Sequence, residues 1–142
     1  MIVAATIVGT GLVGGVYAAF SIMVIPALRR LPDAEAAAAM IAINRAAERG
    51  PFLVLFGGTA IAAATLGATA VGRPVTSDLA VAGASLASTA ITVAVNVPMN
   101  RRLDVDGARF WPTYARRWTR WNTARALAAT ASVAVASVAT RG

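Results

Sequence analysis

The chain has 142 residues, 58% of them apolar and 13% charged, and its mean hydropathy of +0.68 is higher than a soluble domain needs. It contains no cysteine and no histidine, which excludes disulfides, thiolate chemistry, zinc fingers, His-ligated haem and imidazole acid–base catalysis within it. All 13 basic residues are arginines, giving a net charge of +7 whose distribution speaks to membrane topology rather than to nucleic acid.

Four stretches carry no charged side chain: residues 1–28, 51–72, 79–100 and 126–140. A hydrocarbon core of ~30 Å needs about 20 helical residues. The first three stretches reach that length unaided. The fourth does so only if its helix begins near Trp121 and takes in Arg125. The expected fold is therefore all-α: a single-domain integral membrane four-helix bundle with spans at about 2–28, 51–72, 79–100 and 121–140. A soluble bundle would seldom need so long an uncharged opening run. That run also has no basic residue ahead of it and is too long for a cleaved signal peptide, so it is expected to be a span.

In chain order, the first helix combines Gly11, Gly14 and Gly15, where another backbone can approach closely, with a thin polar column. Thr6, Thr10, Tyr17 and Ser21 fall within about 60° of one another on a helical wheel. Pro26 should loosen the end of this helix. A short interfacial helix is expected next, over residues 34–49, with Asp33 as N-cap, Glu35 in its first turn and Gly50 as its stop. Asn44 and Arg45 lie in its middle. Pro51 suits the first turn of the second span, which should end at Gly72-Arg73-Pro74. Ser77-Asp78 can cap the third span. That helix has its own polar column of Ser85, Thr89, Thr92, Asn96 and Asn100, within about 80°, and Pro98 should kink it. Residues 104–107 read as a turn. On the last helix Trp111, Tyr114, Trp118, Trp121, Asn122 and Arg125 share an arc of about 100°, which continues as the small residues Ala129, Ser132 and Ala136. Arg109, Arg116 and Arg120 lie on roughly the opposite face.

Arginine placement sets the expected orientation. Arg29, Arg30, Arg45 and Arg49 fall between the first two spans, and Arg101, Arg102, Arg109, Arg116, Arg117 and Arg120 between the last two. The opposite side carries only Arg73 and Arg141. The positive-inside rule then puts both termini outside and both long connections in the cytoplasm. With that topology Tyr17, Ser21, Asn44, Asn96, Asn100, Asn122 and Arg125 converge on the cytoplasmic half of the bundle.

Each of these groups has a structural reading beside a functional one. Trp118 and Trp121 fit an interfacial aromatic belt as well as a stacking surface. The asparagines can bond helix to helix for ~0.6 kcal/mol each. Arg125 can snorkel to the headgroups, although a guanidinium held at the helix centre costs ~2.5–3.5 kcal/mol and so calls for a partner or an anionic ligand. Arg116, Arg117 and Arg120 read as ordinary positive-inside charges. A proton-coupled exporter would need a carboxylate inside the membrane, whereas all six acidic residues lie in connections. A non-catalytic membrane subunit, with the polar cluster as a helix lock, stays open as an alternative to an enzyme.

The segment Asn96-Val97-Pro98-Met99-Asn100, followed by Trp111, Tyr114, Trp118, Trp121-Asn122 and Arg125, resembles the small membrane family that contains the anthrone oxygenases. The Gly-rich first helix ending in Phe20-Ser21 and Pro26-Ala27-Leu28, and the stretch Ile43-Asn44-Arg45 to Pro51-Phe52, are similar too, so nearly the whole chain is covered. The resemblance implies oxidation of an anthrone carbon to a quinone by O₂ with no cofactor, neither metal nor flavin. On that basis Arg125 stabilises the enolate oxygen, while Asn96, Asn100 and Asn122 bond phenol and carbonyl groups. Trp111, Tyr114, Trp118 and Trp121 stack on the flat ring, with Tyr17 and Asn44 as further binding residues. The proton acceptor stays open between Tyr17, Tyr114 and solvent. The expected partners are the lipid bilayer, a planar aromatic small molecule and O₂, with a homo-oligomer suggested by the Gly11/Gly15 surface and no nucleic acid. The expected location is the inner (plasma) membrane.

Overall fold

The computed structural model describes residues 1–73 and 76–139, and among these described residues five helices account for the architecture. Helix α1 runs Ile2–Leu28, α2 Asp33–Arg49, α3 Pro51–Ala70, α4 Thr76–Arg109 and α5 Trp111–Ala139. No strand occurs among the described residues. Helices α1, α3 and α4 are long and apolar enough to cross a bilayer. The N-terminal half of α5 carries Arg116, Arg117, Arg120 and Arg125, and its apolar run lies beyond them. The proposed end of the second span at Pro74, the last residue of the fourth span and Arg141 lie outside the described residues.

Helices α1, α3, α4 and α5 form a ring in which α1 and α4 each pack between α3 and α5. Large apolar side chains are exposed on the outer faces: Val8 and Leu12 of α1, Val54 and Ile61 of α3, Val93 of α4, Leu127 and Val138 of α5. Small and polar residues fill the centre, an arrangement that suits lipid outside and backbone approach inside. A Cβ at Gly9 would strike Thr59 of α3, and one at Gly14 would sit 2.8 Å from the Ala129 Cβ of α5. Gly15 faces open space, so the close approaches within the chain belong to Gly9 and Gly14 rather than to the Gly11/Gly15 pair.

The two polar columns meet across the bundle axis in a parallel register. Thr10 and Ser85 hydroxyls lie 2.8 Å apart, and Tyr17 and Thr92 hydroxyls 3.2 Å apart, with the same sequence separation of 75. Both helices also depart from α geometry on the same side of the bundle. Phe20–Val24 of α1 and Thr92–Asn96 of α4 are π turns, and Pro26 and Pro98 follow each by the same interval. A proline ring crowds the carbonyl four residues earlier, and widening that turn relieves the crowding.

Several boundaries differ from those expected. Pro32 is the N-cap of α2 and Asp33 its first residue, with no side-chain cap bond; the carboxylate still faces the positive helix end. Gly50 closes α2 in an extended conformation, which lets Pro51 open α3 directly. Ser77 and Asp78 lie inside the first turn of α4 instead of ahead of it. Residues 104–106 remain helical, because α4 continues past Asn100 with Leu103 fully buried. The α-helical part of α4 ends at Asp106, and Gly107, at φ +54°, opens the short 3₁₀ turn Gly107–Arg109 that leads into α5.

Helix α2 does not lie loose on the surface. Its Ala36, Ala37 and Met40 are buried in one cluster with Ile25, Leu28, Leu103, Trp111 and Tyr114. The same helix thus closes one end of the bundle and carries Asn44 and Glu48 over it.

Candidate functional site

Beneath α2, all five helices contribute to a cavity of about 420 Å³, a size typical of small-molecule sites. Its wall is mainly aromatic and aliphatic: Tyr17 and Phe20 from α1, Phe52 and Phe56 from α3, and Trp118 from α5, with Val16, Ile43, Leu53 and Val97 between them. Polar groups reach it at few points, namely Asn44 and Glu48 of α2, Thr92 and Asn100 of α4, and Arg125 of α5.

Arg125 is 6% exposed and has no carboxylate partner; the ion pairs among the described residues are Arg45–Asp104 and Arg102–Asp106. Its Nε and Nη2 donate to Asn122 Oδ1 at 3.0 and 2.6 Å, and Nη1 donates to Thr92 Oγ1 at 3.2 Å. The guanidinium lies 3.7 Å from the Tyr17 ring centroid and 5.2 Å from that of Trp118. Stacking on aromatic faces and three neutral hydrogen bonds hold the cation in place without cancelling its charge. A guanidinium has five N–H groups, of which these bonds take three, with the Tyr17 side chain a further hydrogen-bonding neighbour, and Arg125 lines the cavity.

Asn122 is wholly engaged in this support. Its Nδ2 donates to the Tyr17 carbonyl at 2.6 Å and to Ser21 Oγ at 2.7 Å, while its Oδ1 takes both Arg125 bonds. It is buried and does not line the cavity. Asn100 is held differently. Tyr114 donates its phenol proton to Asn100 Oδ1 at 2.8 Å and the Trp118 indole donates to the same oxygen at 2.9 Å. An indole N–H can only donate, so it fixes which end of the amide is the oxygen. The Nδ2 donor of Asn100 is then the end left for a ligand. Asn44 Nδ2 lies 3.4 Å from the Tyr114 hydroxyl. Burial raises the Tyr114 phenol above its ordinary pKa, against the opposing Asn44 bond and Arg125 charge, so it stays protonated and donates.

Of the residues named from sequence, Tyr17, Asn44, Asn100, Trp118 and Arg125 are brought to the cavity wall, with Asn122 directly behind Arg125. The others are placed elsewhere. Trp111 and Tyr114 are buried in a ladder, with ring centroids 5.9 Å apart and Tyr114 5.7 Å from Trp118, so only Trp118 presents a face to the cavity. Trp121 is 44% exposed and points away from the bundle, as an interfacial anchor would. Asn96 is buried with neither side-chain polar atom bonded, and it does not line the cavity.

Glu48 and Phe56 are the cavity residues that sequence reading does not single out; Thr92 stands there only as part of a polar column, and Phe20 and Phe52 only among the residues of the family resemblance. Phe20, Phe52 and Phe56 look like lipid-facing residues when read one helix at a time. Glu48 stands one turn after Asn44 on α2, and that i, i+4 spacing was the available signal.

No curated protein and no solved structure matches the chain. The family model described as anthrone oxygenase matches residues 39–135. The matched region takes in most of α2, all of α3 and α4 and most of α5, hence every cavity residue outside α1. With a match over more than half its length and helices able to span a bilayer, the chain belongs to the anthrone oxygenase family and is a membrane protein of all-α architecture.

Proposed function

We propose that this protein catalyses the O₂-dependent oxidation of an anthrone-like polycyclic aromatic to a quinone, without a cofactor. The observation that carries the reading is Arg125: a buried cation with no anionic partner among the described residues, in the wall of an aromatic cavity. Such a site favours a flat apolar ligand that becomes an anion, because the charge is stabilised only once it forms. An anthrone meets that description. Loss of its benzylic proton gives an enolate whose carbon is electron-rich enough to reduce O₂ itself. Arg125 binds the enolate oxygen, Asn100 Nδ2 bonds a phenol or carbonyl, and Trp118, Phe20 and Phe52 bracket the rings.

The membrane setting follows the same logic. The arginine-rich connections are assigned to the cytoplasm of a plasma (inner) membrane, with both termini outside. The cavity then lies at the cytoplasmic end, where an apolar substrate enters from the bilayer together with O₂. A helix-locking scaffold accounts for Asn122, whose groups are all used internally, but it leaves the cavity and the unpaired cation without a role.

The test is oxygen uptake by purified, chelator-treated protein offered a panel of anthrones, with the quinone chromophore followed in parallel. Turnover above the spontaneous rate, lost in Arg125→Ala, supports the reading. Folded protein that turns over no anthrone refutes it.

A further inference from the structure

Arg125 and Asn100 stabilise an enolate in the proposed reaction, but neither makes one. Tyr17 lies against the Arg125 guanidinium, which offers no incentive to take up a proton, and Tyr114 is sealed behind Asn100 and Trp118. Glu48 is the carboxylate at the cavity wall. It makes no hydrogen bond or ion pair among the described residues. Arg45, one turn before it and the nearest candidate partner on its own helix, is held instead by Asp104 at 2.8 Å. Glu48 is exposed, and it also lines a second, more polar cavity of about 260 Å³ bordered by Arg45, Arg101 and Asp104. The two cavities share Asn44, Glu48, Val97 and Asn100. Glu48 thus stands at the junction between an apolar chamber and a polar outlet.

From this placement we infer that Glu48 is the general base of the reaction, a deepening that rests on the proposed anthrone oxidation. In an anthrone the enolate oxygen and the acidic carbon are para across the central ring. The anion stabiliser and the base must therefore stand on opposite sides of the ligand. Arg125 belongs to the buried wall and Glu48 to the exposed mouth, which meets that requirement.

The steps balance. Glu48 takes one benzylic proton, and the electron pair passes into the enolate held by Arg125. The carbanion carbon transfers its electrons to O₂ and forms a C–O bond. The resulting peroxide anion takes the proton back from Glu48 to give a hydroperoxide. Glu48 then removes the second proton from that carbon, the O–O bond breaks, and the C=O bond forms. The departing hydroxide takes the proton, leaving a quinone and one water, with Glu48 a carboxylate again. Carbon has lost four electrons, and O₂ has accepted them. The polar outlet gives the water and any exchanging proton a route to solvent.

The proton step can be read without the oxidation. Anthrone is mixed with the whole protein in D₂O under strict exclusion of oxygen, and the loss of the benzylic proton signal is followed by NMR. Wild type is expected to exchange faster than buffer, and Glu48→Gln to lose ~10²–10⁴-fold of that acceleration. Anthraquinone binding, followed by quenching of tryptophan fluorescence, is expected to persist in Glu48→Gln. Glu48→Asp keeps a shortened carboxylate and should recover part of the exchange, and Glu35→Gln, on the same helix away from the cavity, should match wild type. Exchange at the wild-type rate in Glu48→Gln overturns the base assignment and leaves the oxidation reading standing. Loss of anthraquinone binding in that variant also overturns it, making Glu48 a binding residue. Wild type that binds anthraquinone yet gives neither exchange nor quinone overturns the oxidation reading, and the base with it.

Discussion

Asn122 and Arg125, one turn apart on α5, share a single oxygen. Nε and Nη2 of the arginine converge on Asn122 Oδ1 at 3.0 and 2.6 Å, while the asparagine's own N–H groups are spent on α1. The amide therefore orients the cation and ties it to a neighbouring helix without neutralising it. Neutral support is what keeps Arg125 available to an anion.

Asn122→Asp tests that point. The substitution is nearly isosteric but converts the pair into a buried salt bridge and removes the donor to the Tyr17 carbonyl. Turnover is expected to fall by ~10²-fold or more as Arg125 becomes internally compensated. Helix content should be unchanged, which circular dichroism beside the oxygen-uptake assay would check. Undiminished turnover would mean that the free charge on Arg125 is unimportant.

The two tryptophans on either side of Thr119 and Arg120 should separate cleanly. Trp118 presents its face to the cavity and donates to Asn100, whereas Trp121 is exposed. Trp118→Ala is expected to raise KM about tenfold or more through lost stacking and a freed Asn100, while Trp121→Ala leaves KM and kcat within about twofold. Equal effects in steady-state kinetics would contradict this placement.

That contrast also indicates what the sequence could and could not convey. The apolar runs were legible because a bilayer demands uninterrupted hydropathy. The inner faces of α1, α4 and α5 were legible because polar residues recur there at helical spacing. The arc from Trp111 to Arg125 is buried except at Trp121, which sits at its edge, and a wheel cannot tell a buried edge from an exposed one. Trp111 and Tyr114 face inward yet stack on each other. Phe52 and Phe56 were hidden because their role depends on how α3 leans over the bundle, which no single-helix periodicity encodes, and Glu48 was marked only by its i, i+4 spacing from Asn44. The π turns at Phe20–Val24 and Thr92–Asn96 were visible only as the prolines that follow them.

Glycine positions offer a stability test independent of catalysis. An added Cβ at Gly14 would meet Ala129 at 2.8 Å, while one at Gly15 meets nothing within 4 Å. Gly14→Ala should destabilise the bundle by about 1–3 kcal/mol through overpacking between α1 and α5. Gly15→Ala should be neutral or slightly stabilising, since alanine restrains the helix without a clash. Thermal unfolding of the two variants in one detergent would compare them directly, and equal midpoints would contradict the contact between α1 and α5.

Asn96 gives the sharpest test of the line between site and scaffold. The register that pairs Thr10 with Ser85 and Tyr17 with Thr92 would bring Ser21 opposite Asn96, since each pair is separated by 75 positions. Ser21 is instead drawn to α5, where it accepts from Asn122 at 2.7 Å and lies 3.0 Å from the Thr123 hydroxyl. Asn96, 1% exposed within the π turn of α4, is left with both polar atoms unbonded. An unpaired buried amide costs about 1–3 kcal/mol, and an apolar residue of similar volume removes that cost. Asn96→Leu is therefore expected to raise the unfolding midpoint while leaving anthrone turnover within about twofold, because Asn96 does not line the cavity. Loss of turnover with stability gained would move Asn96 into the reaction site and require the π turn to present it to the substrate.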